Sequence, residues 1–312
     1  MLGVALIEQC IQNNVSVLAL TRKNSNKIKW LPKSNLIEIV ECNISDLKSI
    51  QLPEEKYDVF YHFAWMGNAS AKTRDDSRVH LLNIEYTLDA VELAHLLGCN
   101  KFIGAGSQAE YGINNQRTYP TDKVDPVVPY GVAKFAAGKL GRKISDEYGM
   151  VYIWPRIFSV YGEHDRDISM IKYAIKQFLS GQPAQFSAAT HKWNYLYEKD
   201  AGKIFYLLGE KDVPGGVYNV ASSDTRPLKD FILEIKDVCN KNAECIFAPE
   251  THQPTVSLDP DISSLVHAIG WSPDTTFKQG TINMINKTIL GGYNKLNTLH
   301  NCAFVLEERY VA

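Results

Sequence analysis

Hydrophobic and polar residues alternate along the first part of the chain in a way that predicts short buried strands separated by helices. Strands are predicted by the apolar runs VSVLAL (15–20), NLIEIVEC (35–42) and VFYHFA (59–64). The nearly continuous apolar character of the third run is typical of a strand buried on both faces of a parallel sheet. By the same pattern, further strands are predicted at KFIGAGS (101–107), VYIWPRIF (151–158) and GVYNVA (216–221).

Helices are predicted where apolar residues recur with a period near 3.6. Leu2, Leu6 and Cys10 share one face of a first helix, which Asn13 and Asn14 are expected to end. Strands that alternate with helices indicate parallel βαβ units, with helices on both faces of the sheet. Longer helices are predicted over residues 77–97, 130–148, 227–238 and 261–269.

The pattern changes after Gly162. Residues 163–200 are predicted to be mostly helix and loop. We therefore expect an α/β fold, with a doubly wound, Rossmann-like parallel sheet and a smaller, mostly helical C-terminal lobe. The lobe is expected over the carboxyl edge of the sheet, where doubly wound sheets bind their ligands.

Charge and cysteine content exclude several classes of protein. The 312 residues carry a formal net charge of -2, which argues against a dedicated nucleic-acid binder. No apolar run reaches membrane-spanning length and no basic region precedes the first apolar residues, so neither a membrane segment nor a signal peptide is expected. The six cysteines are scattered without metal-ligand spacing, so no metal site is expected and a reducing, cytoplasmic location is favoured.

The strongest chemical signal is GSQAEYG (106–112) followed by YGVAK (130–134). Tyr130 and Lys134 lie one helical turn apart on the same face. A phenol with a pKa near 10 is a poor base at neutral pH, but a nearby ammonium group lowers that pKa. Ser107 ends the preceding strand and can hold the reacting oxygen, so the three residues form a candidate acid–base set. Taken alone, the Tyr-x-x-x-Lys spacing also fits a surface tyrosine and a solvated lysine.

With these motifs the chain resembles the extended short-chain dehydrogenase/reductases, in the NAD-dependent epimerase/dehydratase group that acts on nucleotide sugars. The resemblance runs from residue 1 to about residue 285. The segments that carry it, in order, are YDVFYHFAW (57–65), HLLNIEYTLDAVELA (80–94), PRIFSVYGE (155–163), HKWNYLYEKDAG (191–202), GVYNVASS (216–223) and DPDISSLVHAIGWSPDTTFKQG (259–280).

The resemblance implies two domains with different functions. Residues 1–162, with 197–221 returning to them, would form the dinucleotide-binding domain. Residues 163–196 and 222–290 would form the substrate lobe, and the tail 291–312 has no assigned role. The implied partner is a nucleotide-activated sugar, with no nucleic acid or membrane involved.

The family begins with a strand and a Gly-x-x-Gly-x-x-Gly turn, and Gly3 resembles the third of these glycines. The first strand and the first two glycines are absent from this sequence. A segment missing from the gene sequence is favoured over a native truncation as the explanation. Because the turn normally holds the cofactor pyrophosphate, the chain as written is expected to bind its cofactor weakly.

Cofactor preference is predicted from the end of the second family strand, where NAD enzymes usually place an acid. This chain has Thr21, Arg22 and Lys23 there, which suit a 2′-phosphate, so NADP is favoured over NAD. The alternative is two solvated basic residues in a loop. By resemblance, the other cofactor-binding residues are Gly3, Asn43, Ile44, Phe63, Ala64, Trp65, Asn83, Lys134, Pro155 and Phe158.

Substrate class is narrowed by departures from the family pattern. Gln108 and Ala109 stand where 4,6-dehydratases carry Asp-Glu, so a dehydratase is rejected. Trp193 stands where many 4-epimerases carry a diphosphate-binding arginine, and Ser159 replaces a frequent asparagine near the sugar. Gln108, Ser159, Trp193 and Tyr195 are therefore the candidate substrate residues, although Trp193 and Tyr195 fit core aromatics equally well. By contrast, His62 and His80 are expected to be structural.

We expect hydride transfer at sugar C4, with Tyr130 as the acid/base. The NADP-type residues and Trp193 favour a 4-keto-sugar reductase, whereas the frequency of epimerases within the family favours an epimerase. The alternative is a cofactor-impaired family member that acts only as a binding partner. A homodimer through helices 77–97 and 130–148 is also expected, with the apolar stripe Ala90, Leu93, Ala94 and Leu97 facing either the partner or the sheet.

Overall fold

The computed structural model of the chain describes residues 1–52, 55–67, 75–250 and 256–293, with side chains as far as Lys287. The predicted tail beyond Tyr293 lies outside the described residues. The strands are β1 (Val17–Thr21), β2 (Ile37–Glu41), β3 (Val59–His62), β4 (Lys101–Gly104), β5 (Gly106–Ser107), β6 (Val151–Ile157), β7 (Ser159–Tyr161), β8 (Ala184–Phe186), β9 (Lys192–Tyr197), β10 (Gly216–Val220), β11 (Thr225–Pro227) and β12 (Cys245–Phe247).

Helices occur at the chain start and near residues 77–97, 130–148, 227–238 and 261–269, as predicted, whereas those at Glu198–Glu210 and Phe277–Tyr293 were not predicted. None of the helices in the described part of the chain is both long and apolar enough to cross a bilayer. They are α1 (Leu2–Gln12), α2 (Ser77–Leu96), α3 (Pro129–Glu147), α4 (Met170–Leu179), α5 (Glu198–Glu210), α6 (Leu228–Cys239), α7 (Ser263–Ile269) and α8 (Phe277–Tyr293).

The main sheet is parallel, with the strand order β10-β6-β4-β3, and β5 pairs with β6. Ile103 of β4 lies opposite Ile153 of β6, which in turn lies opposite Gly216 of β10. Strands β1 and β2 form a separate two-stranded parallel sheet. The parallel arrangement with flanking helices confirms the predicted α/β class.

Successive residues of β4 point to opposite faces of the sheet, as the pleat requires. Ile103 packs with Leu6 of α1 and with α5 on one face. Phe102 packs with Trp154 and with Ala137 of α3 on the other face, where α2 also contributes. The sheet is therefore covered by helices on both sides.

A buried lysine fixes the end of α5 against the sheet. Lys101 begins β4, and its ammonium group donates to the carbonyl oxygens of Leu208, Gly209 and Lys211 at 3.1, 2.8 and 2.7 Å. Leu208 and Gly209 belong to the last turn of α5 and Lys211 directly follows it, where carbonyl oxygens have no partner within the helix. Burial lowers the pKa of Lys101, and the three acceptors compensate for the lost hydration.

The C-terminal lobe contains strands that the sequence pattern did not predict. Residues 163–200 were expected to be mostly helix and loop, but they contain β8 and β9 as well as α4. Strand β9 pairs with β7 and β11, and β8 pairs with β12. Asn194 of β9 donates to Ser222 and Asp224 carbonyl oxygens, so the strand is held by side-chain as well as ladder hydrogen bonds.

The apolar stripe on α2 faces the interior of the protomer. Ala90 and Ala94 are fully buried, and Leu93 and Leu97 retain only 6% and 9% of their exposure. They pack with the sheet residues of the α2–α3 face, which decides between the two orientations expected for the stripe. The exposed apolar residues of α2 and α3 are others: Leu81, Leu82, Leu96, Val132 and Leu140.

Candidate functional site

Ser107 ends β5 and is fixed by the turn that follows it. Its backbone N–H donates to Glu110 Oε1 at 2.8 Å, and its hydroxyl accepts from the Ala109 N–H at 3.2 Å, which together form a capping box. Gly112 closes the turn with φ +78°, and a Cβ there would lie 2.0 Å from the Asp125 carbonyl oxygen. The turn therefore needs glycine at this position.

Helix α3 begins against the same turn. Pro129 lies at its first position, which suits a residue without an N–H. Gly131 packs on the Ala109 carbonyl, because a Cβ on Gly131 would lie only 2.4 Å from that oxygen. Tyr130 and Lys134 follow on the first two turns, so the structure brings them to the strand end that carries Ser107.

Lys134 is buried at the centre of the site, with 4% exposure. Its ammonium group donates to the Ala105 carbonyl oxygen at 2.7 Å and lies 3.6 Å from the centroid of the Trp65 ring. Burial lowers the pKa of Lys134 to about 7, and the negative charge of Glu110 acts in the opposite direction. The lysine is thus poised between its two protonation states at neutral pH.

The half-buried Tyr130 ring is held between two aromatic residues. Its centroid lies 6.0 Å from that of Trp65 and 5.7 Å from that of His80, in edge-to-face arrangements. Lys134 Nζ lies 5.9 Å from the Tyr130 centroid. His80 was expected to be structural, and its place beside Tyr130 was missed because no local spacing links α2 to α3.

Two further residues near the site make structural contacts. His62 is buried beside Thr87, and burial lowers its pKa to about 3, so it is neutral. Asn83 was predicted to bind cofactor, but its amide accepts from the Met66 N–H at 2.8 Å and donates to the Met66 and Val79 carbonyls. The described role of Asn83 is therefore to hold the turn after β3.

The predicted adenosine-end residues cluster at the carboxyl ends of β1 and β2. Lys23 Nζ and Asn43 Nδ2 both reach Asp46 Oδ2, at 3.4 and 3.3 Å. The exposed Arg22 lies beside Lys23, and Thr21 ends β1 with a buried hydroxyl that has no hydrogen-bond partner. Ile44 begins the short 3-10 helix that follows Asn43.

The residues that directly follow β3 lie between α1 and α3, with Phe63 near Gly3 and Trp65 on Lys134. A Cβ on Gly3 would lie 3.9 Å from Phe63, an ordinary contact, so this position does not itself require glycine. Phe63 packs edge-on against Phe205 with centroids 4.8 Å apart. Ala64 is exposed, and Trp65 lies on Lys134 with its buried indole N–H unpaired.

Pro155 and Phe158, also predicted to bind cofactor, lie within the protein core. Pro155 is inside β6, opposite Tyr218 of β10. Phe158 retains 7% exposure and packs with Tyr111 and Leu258. No described contact joins either residue to Ser107, Tyr130 or Lys134.

The predicted substrate residues have different surroundings. Ser159 of β7 lies opposite Tyr195 of β9, and Gln108 is half-buried at the start of the turn after Ser107. The Tyr195 ring packs on Phe231 and Phe277, with centroids 5.2 and 5.4 Å away, which favours the core interpretation. Trp193 differs, because its buried indole N–H has no partner.

Unpaired buried polar atoms provide a test of whether the site suits a polar ligand. Buried donors and acceptors in proteins nearly always have a partner. Among the described residues seven such atoms lack one, and three of the seven belong to predicted site residues: Thr21 Oγ1, Trp65 Nε1 and Trp193 Nε1. They lie at the predicted adenosine end, beside the acid–base set and in the substrate lobe, which fits a dinucleotide and a nucleotide sugar.

One group of possible metal ligands occurs among the described residues. Glu163, His164 and Glu198 place ligand atoms within 4.8 Å of one another. The two ring nitrogens of His164 already lie 2.8 Å from Glu198 Oε1 and 3.3 Å from Lys287 Nζ. Tyr197 donates to Glu163 at 2.6 Å. The second carboxylate oxygen of Glu163, Oε2, is buried without a hydrogen-bond partner.

Sequence comparison relates the chain to enzymes of sugar metabolism. The model of the NAD dependent epimerase/dehydratase family matches residues 1–221. An uncharacterised UDP-glucose epimerase of Bacillus subtilis (strain 168) is 24% identical over 267 residues, 84% of this chain and 84% of that protein. The dTDP-D-glucose 4,6-dehydratase of Homo sapiens is 24% identical over 268 residues, 81% and 74% of the two chains.

Solved structures show the same fold. UDP-glucose 4-epimerase from Thermotoga maritima, determined with UDP-glucose, has a TM-score of 0.81 at 21% identity, covering 93% of this chain and 96% of that one. UDP-glucuronic acid 4-epimerase from Bacillus cereus, determined with UDP-glucuronic acid and NAD, has a TM-score of 0.78 at 20% identity, with coverages of 93% and 96%.

Proposed function

Because the chain belongs to the NAD-dependent epimerase/dehydratase family of enzymes, we propose that it transfers a hydride at C4 of a nucleotide-activated sugar. The observation that carries the proposal is the meeting of Ser107, Tyr130 and Lys134 at the carboxyl edge of the sheet. Lys134 is joined to Ala105, two residues before Ser107, by a hydrogen bond of 2.7 Å. A cytoplasmic location, where nicotinamide cofactors and free thiols persist, is part of the proposal.

Bound NAD(P) would supply or accept the hydride. Thr21, Arg22, Lys23 and Asn43 would hold its adenosine end, since they lie together at the ends of β1 and β2. The unpaired N–H of Trp65 and the ammonium group of Lys134 would serve the other end. NADP is favoured because two cations, and no acid, follow Thr21.

The chain's own residues would carry the proton chemistry. In reduction, the Tyr130 hydroxyl donates its proton to the sugar oxygen as that oxygen becomes an alkoxide. The Ser107 hydroxyl holds the same oxygen, and the positive charge of Lys134 stabilises the phenolate left on Tyr130. In epimerisation, Tyr130 first removes the C4 hydroxyl proton, and the resulting 4-keto sugar is reduced on its other face.

The experiment that tests the function separates the two reactions. The purified protein is incubated with UDP-glucose or UDP-glucuronic acid and NAD(P), and the sugars are followed by NMR. An epimerase interconverts C4 epimers without net cofactor turnover, whereas a reductase consumes NADPH when a 4-keto sugar is supplied. Absence of both reactions with cofactor bound would favour the alternative, a family member that acts only as a binding partner.

Cofactor preference gives a first prediction. Replacing Arg22 and Lys23 together by alanine is expected to lower the affinity for NADPH by about tenfold or more and to leave that for NADH nearly unchanged. A charged hydrogen bond contributes about 1.5–3 kcal/mol, and 1.4 kcal/mol is about tenfold. Titration calorimetry checks this, with the exposed Lys29→Ala as the control. A stronger affinity of the unchanged protein for NADH would contradict the assignment.

Assembly gives a second prediction. The exposed Leu81, Val132 and Leu140 of α2 and α3 are 57%, 50% and 47% accessible, and we propose that a homodimer covers them. Val132→Glu with Leu140→Glu is expected to convert the dimer into a monomer, because two charges would be buried unpaired. Light scattering at micromolar protein measures this, and Leu233→Glu, in the lobe, is the control. A monomeric mass for the unchanged chain would refute the proposal.

A further inference from the structure

Glu110 is a buried carboxylate that neither the acid–base set nor the predicted ligand sites use. It is 1% exposed, on the turn directly after Ser107. Oε1 accepts from the Ser107 N–H at 2.8 Å and from Trp154 Nε1 at 3.0 Å, and Oε2 accepts from Arg156 Nε at 2.9 Å. A buried charge is costly unless it is paired in this way, so the burial of the Glu110 carboxylate needs an explanation.

The first consequence of this arrangement is mechanical. Three donors from two different elements fix the Glu110 carboxylate, and the carboxylate in turn fixes the backbone of Ser107. Arg156 is itself held, because it lies 4.4 Å from the centroid of the Tyr111 ring and donates to the Pro120 carbonyl. The Ser107 hydroxyl is thus presented from a rigid turn, as a group that must align a reacting oxygen requires.

The second consequence is electrostatic. Lys134 must be protonated to stabilise a tyrosine phenolate, yet burial lowers its pKa to about 7, and the charge that opposes this shift is that of Glu110. Among the residues that the structure describes, the other titratable groups around Lys134 are His62 of β3, which is neutral, Tyr130 of its own helix, and His80 of α2 beside Tyr130. The positive charge of Arg156, bonded to Glu110, partly compensates the negative charge of that carboxylate.

We infer that Glu110 is a positioning residue for the acid–base set, which fixes the Ser107 main chain and supplies a negative charge that favours the protonated form of Lys134. The inference rests on the proposed function of Ser107, Tyr130 and Lys134. It differs from a plain core ion pair, because an ion pair that only holds the fold would not set the pH range in which Lys134 acts.

The test is the pH dependence of kcat/KM for Glu110→Gln, which keeps an acceptor for the Ser107 N–H but removes the charge. Activity should fall as pH rises through the pKa of Lys134, and this alkaline limb is expected to move about 1 unit lower in the variant. Well below both limbs, at pH 5, the two proteins should differ least, since Lys134 is then mostly protonated in both. Glu234→Gln, which removes half of the Arg226–Glu234 ion pair in the lobe, is the control and should leave the limb in place.

Arg156→Gln supplies a second variant with the opposite expected sign. Without the positive charge of Arg156, the negative charge of Glu110 is less compensated, so the alkaline limb of the kcat/KM profile should move to higher pH. This variant also keeps the inference testable if Glu110→Gln does not fold. An alkaline limb that stays at the wild-type pH in a folded variant of either residue overturns the inference, whatever the overall rate.

Failure of the inference can be told apart from failure of the proposed function. The ε-carbon signal of Lys134, assigned by its absence in Lys134→Met, is titrated by ¹³C NMR in the wild type and in Glu110→Gln without any substrate. A lower titration midpoint in the variant supports the inference even if no sugar is turned over. An unchanged midpoint overturns it even if Tyr130→Phe is inactive.

Discussion

Replacing Tyr130 by phenylalanine is expected to lower kcat by roughly 100- to 10,000-fold, the usual effect of removing a general acid/base. The ring itself should stay in place, because it packs edge-to-face against the rings of Trp65 and His80. Binding of cofactor and substrate should therefore remain close to that of the wild type. The loss appears in kcat rather than in KM.

Steady-state kinetics with calorimetry measures both quantities. Tyr148→Phe is the matched control, since Tyr148 lies just beyond the end of the same helix, is exposed, and stacks on His95 with centroids 4.0 Å apart. Its kcat should be unchanged. Turnover within a few-fold of wild type in Tyr130→Phe would remove this tyrosine from the mechanism and leave hydride transfer without its proposed proton donor.

The acid–base set was predictable because its signals are local. Helical spacing places Tyr130 and Lys134 on one face, and a strand followed by a turn places Ser107 at the carboxyl edge of a parallel sheet. Both features depend on short stretches of sequence. The structure accordingly gathers the three residues as expected, whereas their catalytic roles stay a proposal.

The remaining features depend on contacts between distant segments. Nothing near Trp65 in sequence shows that its ring lies 3.6 Å from the Lys134 ammonium, or that Glu110 pairs with Arg156 across 46 positions. Strand β8 was missed for a related reason, since three residues are too few for a period-2 pattern to be recognised. Asn83 was assigned from resemblance, and only the structure shows its bonds to Met66.

Lys134→Met is expected to change activity and stability in opposite directions. Turnover should fall by roughly 100-fold or more, because the phenolate of Tyr130 loses its stabilising charge. Stability at pH 6 should be unchanged or rise by about 1–4 kcal/mol, because an apolar side chain of similar length replaces a charge that burial disfavours. The lost hydrogen bond to Ala105 and the contact with the Trp65 ring limit the gain.

The pH dependence of that stability difference follows from the sign of the pKa shift. The pKa of Lys134 lies near 7 in the folded protein and at 10.5 in the unfolded chain, so between these values the unfolded state binds more protons. The free energy of unfolding of the wild type therefore gains a contribution that rises with pH over this window, while below pH 7 the full cost of burial is present.

Urea unfolding of both proteins at pH 6 and pH 9 should show the advantage of Lys134→Met shrinking at the higher pH. Lys139→Met, an exposed neighbour on α3, is the control and should alter neither stability nor turnover. An advantage that is equal at both pH values would mean that Lys134 is not titrating as a buried amine, and full activity in the variant would mean that Tyr130 acts without it.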